Sequence, residues 1–305
     1  NKIYDGLGYE ISCGITAGVS ANLSFSLAGY DFGSPLFVRI AKNPAACAVN
    51  WGNIVAPITA MHWGVNDFQA STQPGIVRIH TGGLVNTWTN STTKDWDIDK
   101  IRVAMTNATK GYINSKVLVC ISEWPSWMYS GSSALPLANE ADFIALAAKL
   151  PKIMNDLGFK IDYYEILNEK DNTYQNAGRI NDLWSLIGRT CDAIKAVQPD
   201  VKVGGGALTW PNSAPLAATN DDLFGSILQQ VGTSYEKSIM AYLTSKGLQN
   251  KIETFYDEYN IAWSWDPYEP RQHNNIGAAW MALLIKRFAT EKITGGMVWN
   301  AKDGV

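Results

Sequence analysis

The sequence predicts an α/β chain folded as a (β/α)8 TIM barrel, preceded by a small N-terminal β-rich accessory region. Three observations carry this. From about residue 58 onward, short apolar strand signals alternate with helical ones, the pattern of a parallel sheet with helical crossovers. The stretch from there to the last residue is roughly 250 residues, the usual size of such a barrel. Several strand-like runs also end on polar residues, as barrel strands do where their C-terminal ends meet at one open face.

Taken in order, residues 1–57 stand apart. Leu23-Ser24-Phe25-Ser26-Leu27 and Leu36-Phe37-Val38-Arg39-Ile40 alternate or run apolar between Gly, Pro and Asn turns, which marks a β-rich region ahead of a barrel over residues 58–305. The barrel strands are expected at 58–63, 75–80, 116–121, 161–167, 201–205, 252–259 and 294–299. Helices are expected between them at 140–157, closed by Gly158, and at 181–197, stopped before Pro199. In the second helix Leu183, Leu186, Ile187, Cys191, Ile194 and Val197 share one face at i, i+3, i+4 spacing. The eighth strand of the count is the sixth in order. It is expected between the Gly204-Gly205-Gly206 strand end and Ile252, with a weak signal at 227–234 beyond a Pro/Ala/Asn-rich loop at 211–220. The helix that ordinarily follows the last strand is absent after Val305, so the chain is expected to be one piece of a longer product.

Composition narrows the partners. With a net charge of -3 and 17% charged residues, and no basic run or basic helix face, nothing points to nucleic acid or an anionic membrane surface. No apolar run approaches the roughly 20 residues of a membrane span. Twelve Trp and thirteen Tyr provide planes on which the C–H faces of sugars stack, which points toward a carbohydrate partner. His62, His80 and His273 lack ligand spacing and no Cys-x-x-Cys pair occurs, so neither a metal nor a cofactor is expected. Cys120 and Cys191 read as core thiols, whereas Cys13 and Cys47 share the N-terminal region and leave a bridge open. The triplets at Asn22, Asn90 and Asn107 fit N-glycosylation, and with the low charge they favour a secreted or cell-surface glycoprotein.

Reading each strand to its end gathers His62 and Trp63, Arg78 and His80, Glu123 and Trp124, Asn168 and Glu169, Glu258, then Trp299 and Asn300. Glu169 and Glu258 would face each other across the barrel mouth, a paired-carboxylate arrangement suited to cleaving a glycosidic bond. Carboxyls about 5–5.5 Å apart favour the retaining double displacement, and about 6.5–9.5 Å the inverting route. Mutual repulsion would keep one carboxyl protonated as the acid while the other stays ionised. Asp257 and Glu253 compete with Glu258. Alternation places Glu258 with Tyr256 and Thr254 on one face and Asp257 on the other, which favours Glu258. As neighbours, Asn168 and Glu169 cannot both point inward on a regular strand, so one must be re-aimed.

The segment Glu165-Ile166-Leu167-Asn168-Glu169-Lys170 resembles the Glu-x-Trp-Asn-Glu-Pro signature of clan A retaining glycoside hydrolases. Val77-Arg78-Ile79-His80, Glu123-Trp124-Pro125-Ser126-Trp127-Met128 and Tyr256-Asp257-Glu258-Tyr259-Asn260 look most like family 39, the β-xylosidase and α-L-iduronidase group. Gly295-Gly296-Met297-Val298-Trp299 resembles the eighth strand of that family. The resemblance implies Glu169 as general acid/base and Glu258 as nucleophile. It implies Asn168 on the sugar 2-hydroxyl, Arg78 holding the nucleophile ionised, Trp299 under the sugar, and His80 and Trp127 lining the pocket. Leu167 stands where the family has Trp and Lys170 where it has Pro, and the His/Tyr segment of the sixth strand has no match. These departures keep a second reading open, a catalytically degenerate barrel that serves as an extracellular glycan-binding, structural or filament protein.

Overall fold

The structure is a computed structural model. It describes residues 58–66, 73–80, 84–110, 114–207, 245, 247–248, 251–259, 275–290 and 292–299, together with Ile3–Tyr4 and Glu10–Ile11. The chain divides into two compact units, residues 1–55 with 266–282 and residues 56–265 with 283–305, and the sheet belongs to the second.

That sheet is wholly parallel. Its strands are β1 (Gly64–Asn66), β2 (Ile76–Ile79), β3 (Lys116–Ile121), β4 (Tyr163–Asn168), β5 (Lys202–Ala207), β6 (Phe255–Tyr259) and β7 (Gly295–Val298). They lie in the order β6-β7-β1-β2-β3-β4-β5, so the sheet's last described strand pairs with its first. This is the cyclic order of a (β/α)8 barrel, and with the intervening helices the curled parallel sheet makes an α/β TIM-barrel-like fold. The helices are α1 (Leu84–Trp88), α2 (Ile98–Thr109), α3 (Leu137–Asp156), α4 (Asp171–Asn176), α5 (Ile180–Val197) and α6 (Asn275–Thr290). The expected sixth-strand signal at 227–234 lies outside the described residues, as do the strands expected at 23–27 and 36–40, Cys13 and Cys47. In the first unit, Ile3–Tyr4 pairs antiparallel with Glu10–Ile11.

Strand alternation sorts the sheet's side chains into two layers. Val77 and Ile79, Val117 and Val119, and Tyr164 and Ile166 face outward, in one core with Ile101 of α2, Phe143 and Leu150 of α3, and Leu186 and Ile194 of α5. Ile76, Leu118, Cys120, Tyr163 and Met297 form a second, smaller cluster on the opposite face, inside the curl. Burial on both faces explains why β3 reads Lys-Val-Leu-Val-Cys-Ile with no polar alternation. Helix α3 ends as expected, with Gly158 at φ +81° and the Phe159 N–H donating to Met154 O at 2.9 Å. On α5, Leu183, Leu186, Ile187 and Ile194 are buried, whereas Val197 in the last turn is exposed and Cys191 half-buried.

The first strand corrects the sequence reading. Residues 60–62 form a 3-10 turn and the strand begins at Gly64, so His62 and Trp63 precede it and Asn66 ends it. His62 Nδ1 accepts the Thr59 N–H at 3.1 Å, and its Nε2 donates to Ile293 O at 2.9 Å, which fixes the turn to the segment entering β7. Gly64 permits the close approach that follows. A Cβ there would lie 2.5 Å from Ile76 Cγ2 and 2.6 Å from Gly296 O.

Candidate active site

Arg78, on the inner face of β2 and 0% exposed, is the hub of the site. A guanidinium has five N–H donors, and here each meets an acceptor. Nε donates to Glu165 Oε2 at 2.6 Å. Nη1 donates to Asn66 Oδ1 at 3.1 Å and to Glu258 Oε1 at 2.7 Å. Nη2 donates to Asn168 Oδ1 at 2.8 Å and to Cys120 Sγ at 3.6 Å. Asp257 Oδ2 lies 3.9 Å from Nη2. One side chain therefore gathers β1, β3, β4 and β6.

Two departures from regular strand geometry bring these groups together. Glu165 and Asn168 are three residues apart, so on an unbroken strand they would face opposite ways. Leu167, buried and at φ +63°, turns the chain so that Asn168 reaches the same guanidinium as Glu165. Glu169, at φ +49°, then leaves the sheet, its N–H donating to Ala207 O at 2.9 Å. The re-aiming expected at Asn168-Glu169 thus consists of two left-handed residues around Asn168.

On β6 the pairing with β7 slips between Tyr256 and Tyr259. Tyr256 stacks on Phe288 of α6 (centroids 5.1 Å, 28°) and Tyr259 meets the same ring edge-on (5.4 Å, 72°). Asp257 and Glu258, between them, both approach Arg78. Strict alternation, which groups Tyr256 with Glu258 and sends Asp257 away, is corrected here: the irregularity lets consecutive carboxylates share one side. Asn66 Nδ2 donates to Asp257 O at 2.7 Å, which holds this irregular segment against β1.

The electrostatics follow from a buried guanidinium among several carboxyls. Burial pushes Glu165 up to about 8 and Glu258 up to about 7, in each case against the pull of Arg78 and with Asp257 adding to the rise. Burial opposes the charge on Arg78, but Glu165, Asp257 and Glu258 outweigh it and raise its proton affinity further. Loss of water, then Asp171 and Asp257, raise Glu169, while Arg78 and Lys170 oppose the rise. Burial and Arg78 lower His80 to about 4, so its imidazole is neutral at pH 7.

Of the residues singled out in the sequence, Arg78, Asn168 and Glu258 meet directly. His80 joins them, with Nδ1 3.6 Å from Glu258 Oε1 and its ring edge-on to Trp299 at 5.8 Å. Glu169 stands at the open rim, and its charge is among those felt by Glu258. The Trp127 indole N–H donates to Thr89 Oγ1 at 3.4 Å, which fastens that ring to the segment after α1. Lys170, next to Glu169 in the chain, has its Nζ 3.9 Å from Glu123 Oε2 and 5.4 Å from the centre of the Trp124 ring. Asn66, Cys120 and Glu165 are additions to the site. Counting inward positions by twos from Ile76 to Arg78, from Leu118 to Cys120 and from Tyr163 to Glu165 would have found two of them. Among the described residues no group of three or more His, Cys, Asp or Glu is arranged to hold a metal.

Among solved structures, the chain is similar to a GH39 β-xylosidase from Caulobacter crescentus, with a TM-score of 0.58 and 15% identity over 80% of this chain and 61% of that one. A family 39 glycoside hydrolase from the gut symbiont Bacteroides cellulosilyticus WH2 gives 0.52 and 14%, over 81% of this chain and 59% of that one. A family 44 xyloglucanase from Paenibacillus polymyxa gives 0.51 and 10%, over 82% and 73%. The chain spans less than two thirds of the length of both family 39 proteins. At these identities the likeness is one of fold, the TIM barrel of glycoside hydrolases. No protein-family profile matches the sequence, and no curated protein matches it.

Proposed function

We propose that this chain is a retaining O-glycoside hydrolase acting on an oligosaccharide or polysaccharide, with Glu258 as nucleophile and Glu169 as general acid/base. The observation that carries this reading is the grip of Arg78 on Glu258 at 2.7 Å, with Asn168, the neighbour of Glu169, on the same guanidinium at 2.8 Å. Arg78 and His80 both address Oε1 of Glu258, which leaves Oε2 to attack the anomeric carbon. As the glycosidic bond breaks, Glu169, whose raised proton affinity suits an acid, protonates the departing oxygen. Glu169 then takes a proton from the water that releases the glycosyl-enzyme ester, and Glu258 returns as carboxylate. Trp299, set edge-on to His80, offers a face for the sugar. The setting proposed for this activity is extracellular.

A 2-deoxy-2-fluoro glycoside that traps the ester on Glu258, located by peptide mass mapping, tests the assignment. Glu258→Gln should lower turnover by on the order of 10^4-fold while the far-UV spectrum is unchanged. Undiminished turnover in that variant would overturn the roles of Glu258 and Glu169. Lys170 at the position of the usual Pro, engaged with Glu123 and Trp124, favours a second reading in which the barrel binds glycans without cleaving them. Sugar binding with no turnover across a glycoside panel would decide for it.

A further inference from the structure

The triplets Asn90-Ser91-Thr92 and Asn107-Ala108-Thr109 carry the same acceptor pattern, but they stand in different local structures. Asn90 ends the first strand of a short hairpin, in which Thr89–Asn90 pairs antiparallel with Asp95–Trp96. The tip, Ser91 to Lys94, is exposed. There the Asn90 side chain closes the turn. Its Oδ1 accepts the Thr92 N–H at 2.9 Å and the Thr93 N–H at 3.2 Å. The turn spans only positions 90 to 93, so it needs no contact from the rest of the fold.

This geometry suits the asparagine to glycosyl transfer. Bending the backbone of Thr92 onto the amide oxygen draws the two ends of the triplet together. Two N–H groups on that oxygen also withdraw electron density from the amide nitrogen and make its protons easier to lose. The nitrogen is uncommitted: among the described residues Nδ2 of Asn90 makes no hydrogen bond. Asn107 is exposed too, but it lies in the last turn of α2. Residues two apart on a helix point about 200° away from each other, and the Thr109 hydroxyl donates to Met105 O at 2.7 Å. Bringing the ends of that triplet together would unwind the end of the helix.

The hairpin also has room for a bulky group at its tip, because it is fastened at its base. Trp96, buried, donates its indole N–H to Leu146 O of α3 at 2.7 Å, and the Asp97 N–H reaches Trp88 O at 2.7 Å. A group attached at position 90 leaves both contacts in place.

We propose that Asn90 is the N-glycan acceptor of this chain in a secretory pathway, and that Asn107 is not. The co-reactant is an oligosaccharide carried on a lipid diphosphate. A bond forms between Nδ2 of Asn90 and the anomeric carbon, the bond from that carbon to the diphosphate oxygen breaks, and one Nδ2 proton is released with the lipid diphosphate. The proposal rests on the extracellular setting, and not on the roles given to Glu169 and Glu258.

The test is the full chain directed into the secretory pathway of a eukaryotic cell. Chain recovered from cells and medium together is treated with peptide N-glycanase in heavy-oxygen water, which leaves a labelled Asp wherever an Asn carried a glycan, and the label is located by peptide mass mapping. Asn90 should carry it at least about five-fold above Asn107, although the bare pattern would treat the two alike. Thr92→Ala should remove the label from Asn90, and Thr92→Ser should restore it, since serine again supplies the hydroxyl. An unlabelled Asn90, label at Asn107 equal to that at Asn90, or label at Asn90 that persists in Thr92→Ala overturns the proposal. If Asn90 is labelled as described and no glycoside is cleaved, the hydrolase reading fails and the acceptor stands.

Discussion

Replacing Arg78 with lysine keeps the charge but removes the fork, and the structure sets the size of the effect. Five acceptors converge on the guanidinium. An ammonium has three donors, so at least two acceptors are left without a partner around the fully buried Arg78 position. Each stranded buried acceptor costs about 1–3 kcal/mol, and more when it is charged, so Arg78→Lys should destabilise by roughly 2–6 kcal/mol. Breaking a buried ion pair outright costs about 3–5 kcal/mol, which falls within the same range. Against a typical stability of about 5–15 kcal/mol this is a large fraction. Urea melts at neutral pH are the assay. At a slope of about 1–3 kcal/mol per molar, the midpoint should fall by about 1 M or more with the slope unchanged. A variant within about 0.5 kcal/mol of the parent would refute the reasoning, since it would mean that the fork is not what satisfies these groups.

The pH dependence of folding follows from the same groups. The folded state holds protons on Glu165 and Glu258 up to about 8 and about 7, so the stability they contribute is greatest below the ordinary carboxylate range and is lost as pH rises to about 8. His80, lowered to about 4, works the other way only below its usual 6.5. Between about pH 6.5 and 8 the unfolding free energy should therefore fall by up to ~1.4 kcal/mol per pH unit for each excess proton held; denaturation midpoints that stay flat or rise there would contradict it. If Glu258 is the nucleophile it must be ionised, so kcat/KM should drop as pH falls below about 7, and an acidic limb near 4 would contradict the burial described. Gly64→Ala would force a methyl to within 2.6 Å of Gly296 O, and should cost roughly 1–3 kcal/mol or prevent folding, read from the thermal midpoint.

Strand β3 was legible to the residue because an apolar run buried on both faces gives an uninterrupted signal. The Gly158 cap was legible because only a glycine stands easily at the left-handed position required there. β1 was not. Its three residues carry no periodicity, and the preceding Ile58-Thr59-Ala60-Met61-His62-Trp63 has the apolar content of a strand while forming a turn held by His62. The strand ends were legible in part. Arg78, Asn168 and Glu258 were identified from their positions, but the way they meet depends on Leu167 at φ +63° and on the slip between Tyr256 and Tyr259. A leucine in a left-handed conformation has no signature in composition, because tertiary contacts impose it. Glu165 lay in plain view inside the motif. Its role emerged only when the inner face of β4 was set against Arg78.

The Arg78 hub also bears on how the sheet is held together. Backbone ladders join neighbours around a rim, and the described rim is broken between β5 and β6. The guanidinium adds spokes: β6 is joined to β2, β4 and β1 through Glu258, Arg78, Glu165 and Asn66, without passing along the rim. At the opposite end of the strands, Tyr163 meets Phe255 edge-on at 5.3 Å and Lys202 pairs with Glu253, so chords cross the circle there too. Whatever path residues 208–244 take, the carboxylates on β6 keep their register with β4 through these cross-braces. Insertions or sequence drift in that interval can therefore be absorbed without moving the groups at the centre.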